Sequence, residues 1–281
     1  MDTRDSERPD IFRYHDYRVF LKDWFAFQKK TRRVFSLRNL SRKAKLASGY
    51  LPMVLSGARN LSSKAIAKLT PHLGLNPQEC AYLDALKDLS DAGSSELQTR
   101  AFELLQKNRT YQAANPKEME AYRYLTHWYY VAIREMATLP GFQVDAAWIQ
   151  SRLLFKVPLK DIQSAVEFLL SHGFLEKDAS GVVRAVDRDV DCLGGIFRLA
   201  LGNFHRQMLG LAAESLEVAS RAERSVEGYT LPIQKKDFPK VVAILKEAFQ
   251  QIGKLENSKD ASNEIYHVAL SAFPVTKRGG G

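Results

Sequence analysis

The chain has 281 residues, 45% of them hydrophobic and 26% charged, with 41 Lys+Arg against 32 Asp+Glu and a formal net charge of +9. That length and apolar content exclude a wholly disordered polymer and leave room for two or three domains of ordinary size, each with its own core. Cys80 and Cys192 stand far apart with no CxxC spacing, which argues against a disulfide framework or a zinc cluster and fits a reducing compartment.

The start, MDTRDSERPD, lacks the apolar core of a secretory signal, and no apolar run approaches the roughly 18 residues of a spanning helix. A cytoplasmic protein with no membrane contact is expected. From Ile11 to Lys30, Tyr17, Phe20, Leu21, Trp24 and Phe25 recur at helical spacing, so an amphipathic helix buries its aromatics in a core rather than offering them to bases.

Phe35 to Leu75 then fits three short helices broken by tight turns, a helix-turn-helix. Ser36 caps the first, in which Leu37, Leu40 and Ala44 make one buried stripe. Ala47-Ser48-Gly49 turns the chain into a second helix with Tyr50, Leu51, Val54 and Leu55, and Gly57 ends it. Ser62 caps the third, where Ala65, Ile66 and Leu69 face inward and Gly74 marks the exit.

Charge singles out the same stretch. No acidic residue lies between Asp23 and Glu79, and residues 1–75 hold 16 Lys+Arg against 6 Asp+Glu, a net of +10; the rest, with 25 against 26, sums to −1. Such asymmetry is the footprint of a phosphate-backbone binder, in which Lys and Arg displace condensed counterions. The predicted DNA contacts are Arg38, Arg42, Lys43, Lys45, Arg59 and Lys64 on phosphates, with Ser48, Gly49, Tyr50 and Asn60 around the groove-entering helix. That helix offers few hydrogen-bonding side chains, so base readout looks thin beside phosphate contact.

Asn76-Pro77-Gln78-Glu79 combines a capping Asn, Pro at the first helical position and Glu at the third, a helix start. DAGSS, residues 91–95, reads as a linker, followed by a helix from Glu96 to Lys107. Asn115-Pro116 opens a long helix running through His127 to Ala137, whose lone histidine has no second ligand at metal spacing.

Asp145 to Val186 has the pattern of a winged helix: two helices, Gly173 as a stop, then a hairpin over FLEK, DASG and VVRAV. Its second helix exposes Lys160, Asp161, Gln163, Ser164 and Glu167, nearly balanced in charge, so scaffold or dimer contact is expected of it more than DNA contact. A helix carrying Phe197, Leu201, Phe204, Met208 and Leu211 follows. VEGYTLPIQ (226–234) and EIYHVALSAFPV (264–275) read as strands around a helix capped by Asp237, a strand-helix-strand module for sensing or dimerisation.

Residues 36–62 resemble the helix-turn-helix of the phage-repressor and Cro type. Over nearly its whole length the chain also resembles a bacterial family of presumed transcriptional regulators with a C-terminal domain of unknown function. The resemblance rests on Tyr17-Arg18 with Leu21-Lys22, Gly57 with Arg59-Asn60-Leu61-Ser62, and Leu73-Gly74-Leu75. It continues in Leu125-Thr126-His127-Trp128-Tyr129, Phe204-His205-Arg206-Gln207-Met208 and Phe273-Pro274-Val275-Thr276-Lys277. It implies a DNA-binding regulator and brings no catalytic residue, cofactor or metal with it.

The expected architecture is mainly α with small β parts: a helix-turn-helix domain over 11–90, connector helices and a winged-helix-like domain over 96–190, and a C-terminal α/β domain over 191–277. The expected function is a non-enzymatic transcriptional regulator that holds double-stranded DNA as a homodimer, with His205 and Arg206 as a candidate site for a small-molecule or protein effector. The competing expectation is a helix-turn-helix that no longer reads DNA and docks a protein or RNA. An enzyme is the weakest reading, since no nucleophile elbow, metal set or phosphate loop accompanies the acid and base residues.

Overall fold

The structure is a computed structural model that describes residues 7–32, 34–187, 195–257 and 262–277. It is mainly helical, with one small antiparallel two-stranded sheet. Two compact units account for it. One comprises the described residues of Met1–Thr126 and Val190–Asn203, the other those of His127–Asp189 and Phe204–Gly281. The domain boundary expected at 190–191 lies outside the described residues.

In the first unit the chain enters through a 3-10 turn, Ile11–Arg13, and then α1, Tyr17–Thr31. The sequence pattern predicts one helix from Ile11, but the Asp16 carboxylate accepts from the Arg18 N–H and its extended backbone starts α1 afresh. Helices α2 (Leu37–Lys43), α3 (Tyr50–Leu55) and α4 (Ser63–Leu73) follow where the capping signals put them. Ser36 accepts from Asn39 N–H, Ser62 from Ala65 N–H, and Gly57 and Gly74 take positive φ after α3 and α4.

Helix α5 (Pro77–Asp91) begins with the predicted capping box, in which Asn76 and Glu79 satisfy each other's backbone N–H. Glu79 also receives the Arg8 guanidinium at 2.8 Å, which ties the entering chain to this helix. Helices α6 (Ser95–Leu105), α7 (Arg109–Ala114) and α8 (Pro116–Thr126) complete the run. A connected chain of rings joins these elements: Phe12 on Tyr82 at 4.9 Å, Tyr82 stacked on Tyr111 at 5.8 Å, Phe102 on Tyr111 at 6.0 Å and on Tyr122 at 4.6 Å. Tyr17, Phe20, Leu21 and Trp24 of α1 are fully covered beside Leu51, Val54 and Leu69.

The second unit opens with α9 (Trp128–Met136), separated from α8 by a break at His127 that the sequence pattern does not predict. Its cause is an acceptor from far along the chain: the Gln207 Oε1 takes the Trp128 N–H at 3.0 Å, so the helix restarts there. Next come α10 (Ala146–Arg152), capped by Asp145, and α11 (Leu159–Ser171), which ends at Gly173 with φ +69. Strands β1 (Leu175–Lys177) and β2 (Val183–Ala185) pair Leu175 with Ala185 and Lys177 with Val183. Asp178 shapes the turn by accepting from Ser180 and Val182 N–H. Tyr130, Ile149, Ile162, Phe168 and Phe174 form the core of this part.

Helix α12 (Gly195–Val218) and helix α13 (Phe238–Gly253) complete the fold. The two strands expected around α13 are absent, which corrects the strand-helix-strand reading: neither 226–234 nor 264–275 forms a strand. Alternating apolar residues favour an extended backbone, but a strand exists only through a ladder, and among the described residues the one backbone hydrogen bond made by either segment is Asp237 N–H to Gln234 O, in the turn into α13. Asp237 precedes α13 as predicted, yet its carboxylate pairs with Lys240 at 2.8 Å rather than accepting a helix N–H.

Candidate nucleic-acid interface

Helix geometry sorts the basic side chains. Successive residues turn by about 100°, and on α2 the buried Leu40, Ser41 and Ala44 lie opposite Arg38, Arg42 and Lys43, all exposed. Lys45 follows in the left-handed region at φ 51, where it closes α2: Leu46 N–H reaches back to Ser41 O at 2.8 Å. On α4, Ala65, Ile66 and Leu69 are buried while Lys64 and Lys68, one turn apart, face solvent. Between them α3 buries Leu51 and Val54 and exposes Ser48, Gly49, Pro52 and Met53 at and near its start. Pro52 occupies the third position of α3, where its missing N–H has no intrahelical partner to lose.

Two of the residues expected to face DNA have internal work. The Tyr50 hydroxyl donates to Asn60 O at 3.2 Å and accepts from Ser62 N–H at 3.0 Å, so it pins the loop between α3 and α4. Arg59 lies over the same ring at 5.1 Å, which orients its guanidinium. The Asn60 Oδ1 accepts from Arg18 at 2.7 Å, and Arg18 also holds Asp91 at 2.8 Å. Arg42 donates to Asn39 on the next turn of α2.

Beneath that loop lies a lock that the sequence pattern shows only in part. Tyr17, wholly buried on α1, accepts the Leu61 N–H at 3.1 Å and donates to Asp91 at 3.2 Å. Burial, with the Asp91 charge beside it, pushes this phenol up to about 12. Tyr17, Arg18 and Asp91 therefore fix the position of residues 59–62, and with them the relation of α3 to α4. Tyr17 reads as core and Asp91 as linker in the sequence; only their meeting across more than seventy positions reveals the pair.

In the second unit His127 stacks on Tyr129 at 5.2 Å, and burial lowers its basicity against a weaker pull from Asp161. Arg134 of α9 donates to Val186 O at 2.7 Å, just past β2. His205 and Arg206 are exposed on α12, where they follow the buried Phe204. His267 packs edge-on against Phe204 at 5.9 Å, and burial together with the neighbouring His205 lowers its basicity. Among the described residues no group of three or more His, Cys, Asp or Glu is placed to hold a metal ion, and no helix is long and apolar enough to cross a membrane.

Residues 99–275 match the model of a family described as Domain of unknown function (DUF4423), and the chain belongs to that family. The match spans more than half of the chain and leaves α1 to α5 outside it. Neither the curated proteins nor the solved structures contain a match to this chain.

Proposed function

We propose that the protein is a transcriptional regulator that holds duplex DNA through α2, α3 and α4, arranged as a helix-turn-helix, with its C-terminal region serving dimerisation or signal sensing. The observation that carries this reading is the exposure of Arg38, Arg42 and Lys43 on α2, Lys45 just after it, Arg59 in the loop and Lys64 on α4, in an interval without any acidic residue. Arg and Lys so placed neutralise phosphates without regard to sequence. Groove contact falls to Ser48, Gly49 and the exposed Met53 at the start of α3, with Tyr50 and Asn60 acting as supports rather than readers. Selectivity then comes chiefly from DNA shape.

Helices α9, α10 and α11 with the β1–β2 hairpin suit a winged-helix arrangement, and the balanced charge of α11 favours scaffold or dimer contact there. His205 and Arg206 remain the proposed effector contact, both exposed and with His205 a neighbour of His267. The second reading, docking of a protein or RNA, is favoured by one observation: the two most capable hydrogen-bonding groups near α3, Tyr50 and Asn60, are spent inside the unit.

Anisotropy of labelled duplex DNA against salt tests the proposal. With about 6 to 8 phosphates neutralised per dimer, log affinity falls with log salt at a slope of roughly −5 to −7. Arg42→Glu combined with Lys64→Glu, both on solvent faces, lowers affinity for every duplex sequence alike. A slope near zero overturns the proposal, as does a duplex complex whose affinity the charge reversal leaves unchanged.

A further inference from the structure

The described residues between Val226 and Val275 present apolar side chains that the fold of the single chain leaves uncovered. No residue of α13 is buried, although Phe249 and Ile252 lie on one stripe of it. Before the helix, Tyr229, Leu231 and Ile233 alternate along a segment without regular secondary structure; after it, Tyr266, Val268 and Leu270 do the same. Fifteen large apolar residues of this region are exposed. At about 150–250 Å² for a whole aromatic side chain, their exposed parts come to the order of 1,000 Å². Summed over the region, that exceeds the ~800 Å² that each partner buries in a standard interface.

We infer that residues 226–257 and 262–275 form an exchange arm that docks on the same arm of a second copy of this chain, the segments 226–234 and 264–275 pairing as strands across a two-fold axis. Apart from Gln234 O, which takes the Asp237 N–H at 2.8 Å where the chain turns into α13, no backbone hydrogen bond joins either segment to another described residue, so each is an edge on both sides, and unpaired edges call for strands. The two do not pair with each other, so the missing strands come from another molecule. A second copy supplies the same edges, and a two-fold makes every contact self-complementary.

Charge narrows the choice of partner. Residues 225–277 carry seven Lys+Arg against six Asp+Glu, a net of +1, which neither recruits a phosphate surface nor repels an identical arm. The arm also leaves the fold from a finished helix end. Arg224 donates to Leu216 O and Ala219 O, and Glu223 accepts from Ser220 N–H, so the exit after α12 is set. Beyond α13, Arg152 holds Asn263 O at 3.2 Å.

The inference rests on the reading of the C-terminal region as the dimerisation part and stands apart from DNA binding. Sedimentation of the full chain at micromolar concentration without DNA tests it, with hydrogen exchange as a second readout. The expected result is twice the chain mass, slow exchange at 226–233 and 264–275, and loss of both in Phe249→Glu and in Leu231→Glu. Each substitution falls on surface exposed in the single chain, so helical circular dichroism is retained. A wild-type chain of single mass overturns the inference, as does a dimer that survives both substitutions or exchanges freely in these segments. If a single-mass chain still binds duplex DNA with a steep salt slope, the arm is disproved and the DNA reading stands.

Discussion

Lys45 sits where a side chain is a burden. At φ 51 it occupies the left-handed region that closes α2, a place glycine fills more cheaply because a Cβ there crowds the backbone. Lys45→Gly therefore raises stability by on the order of 0.5–1 kcal/mol, read from the midpoint of urea unfolding. On the proposed DNA-binding reading it removes one phosphate contact per chain, two per dimer, so duplex affinity falls and the salt slope shrinks by roughly 1.8. The opposite signs are the point: a lysine kept only for structure loses nothing when replaced. Residue identity alone does not separate such roles. Tyr50 and Asn60 read in the sequence as groove-facing groups because their chemistry suits bases, yet their partners, Ser62 N–H and Arg18, are assembled only by folding.

Helix ends are the most legible feature of this sequence because a cap is a local bond. Ser36, Ser62 and Asn76 each accept from a backbone N–H three residues on, within reach of a short pattern. The break between α8 and α9 is illegible for the opposite reason: its acceptor, Gln207, is 79 positions away. That bond also links two of the motifs that carry the family resemblance, His127-Trp128-Tyr129 and the stretch around Phe204. Gln207→Ala leaves the Trp128 N–H without its acceptor and costs about 0.5–2 kcal/mol, the usual range for a lost cap. Gln207→Glu keeps an acceptor at a helix N-terminus and recovers most of that loss. Chemical denaturation of the three chains side by side measures it, and equal stability of all three removes the cap from the account. The strands predicted at 226–234 and 264–275 failed at this same scale, since alternation specifies an extended backbone and never its partner.

At the scale of the molecule, charge and apolar surface are segregated along the chain: the excess of positive charge lies in residues 1–75, the uncovered apolar surface in 226–275. If the first holds phosphates and the second joins two copies, the two properties are thermodynamically linked. A dimer places two basic faces on one duplex, so its binding releases the counterions of both. Severing the arm with Phe249→Glu leaves each basic face intact but halves the number that act together. The salt slope then drops from roughly −5 to −7 toward about −3, and the dependence of affinity on protein concentration changes from that of a preformed dimer to that of a single chain. Arg42→Glu with Lys64→Glu does the reverse: it flattens the slope while sedimentation still reports two copies. A Phe249→Glu chain of single mass that binds DNA with an undiminished slope breaks the link, because all the phosphates neutralised by the pair are then neutralised by one.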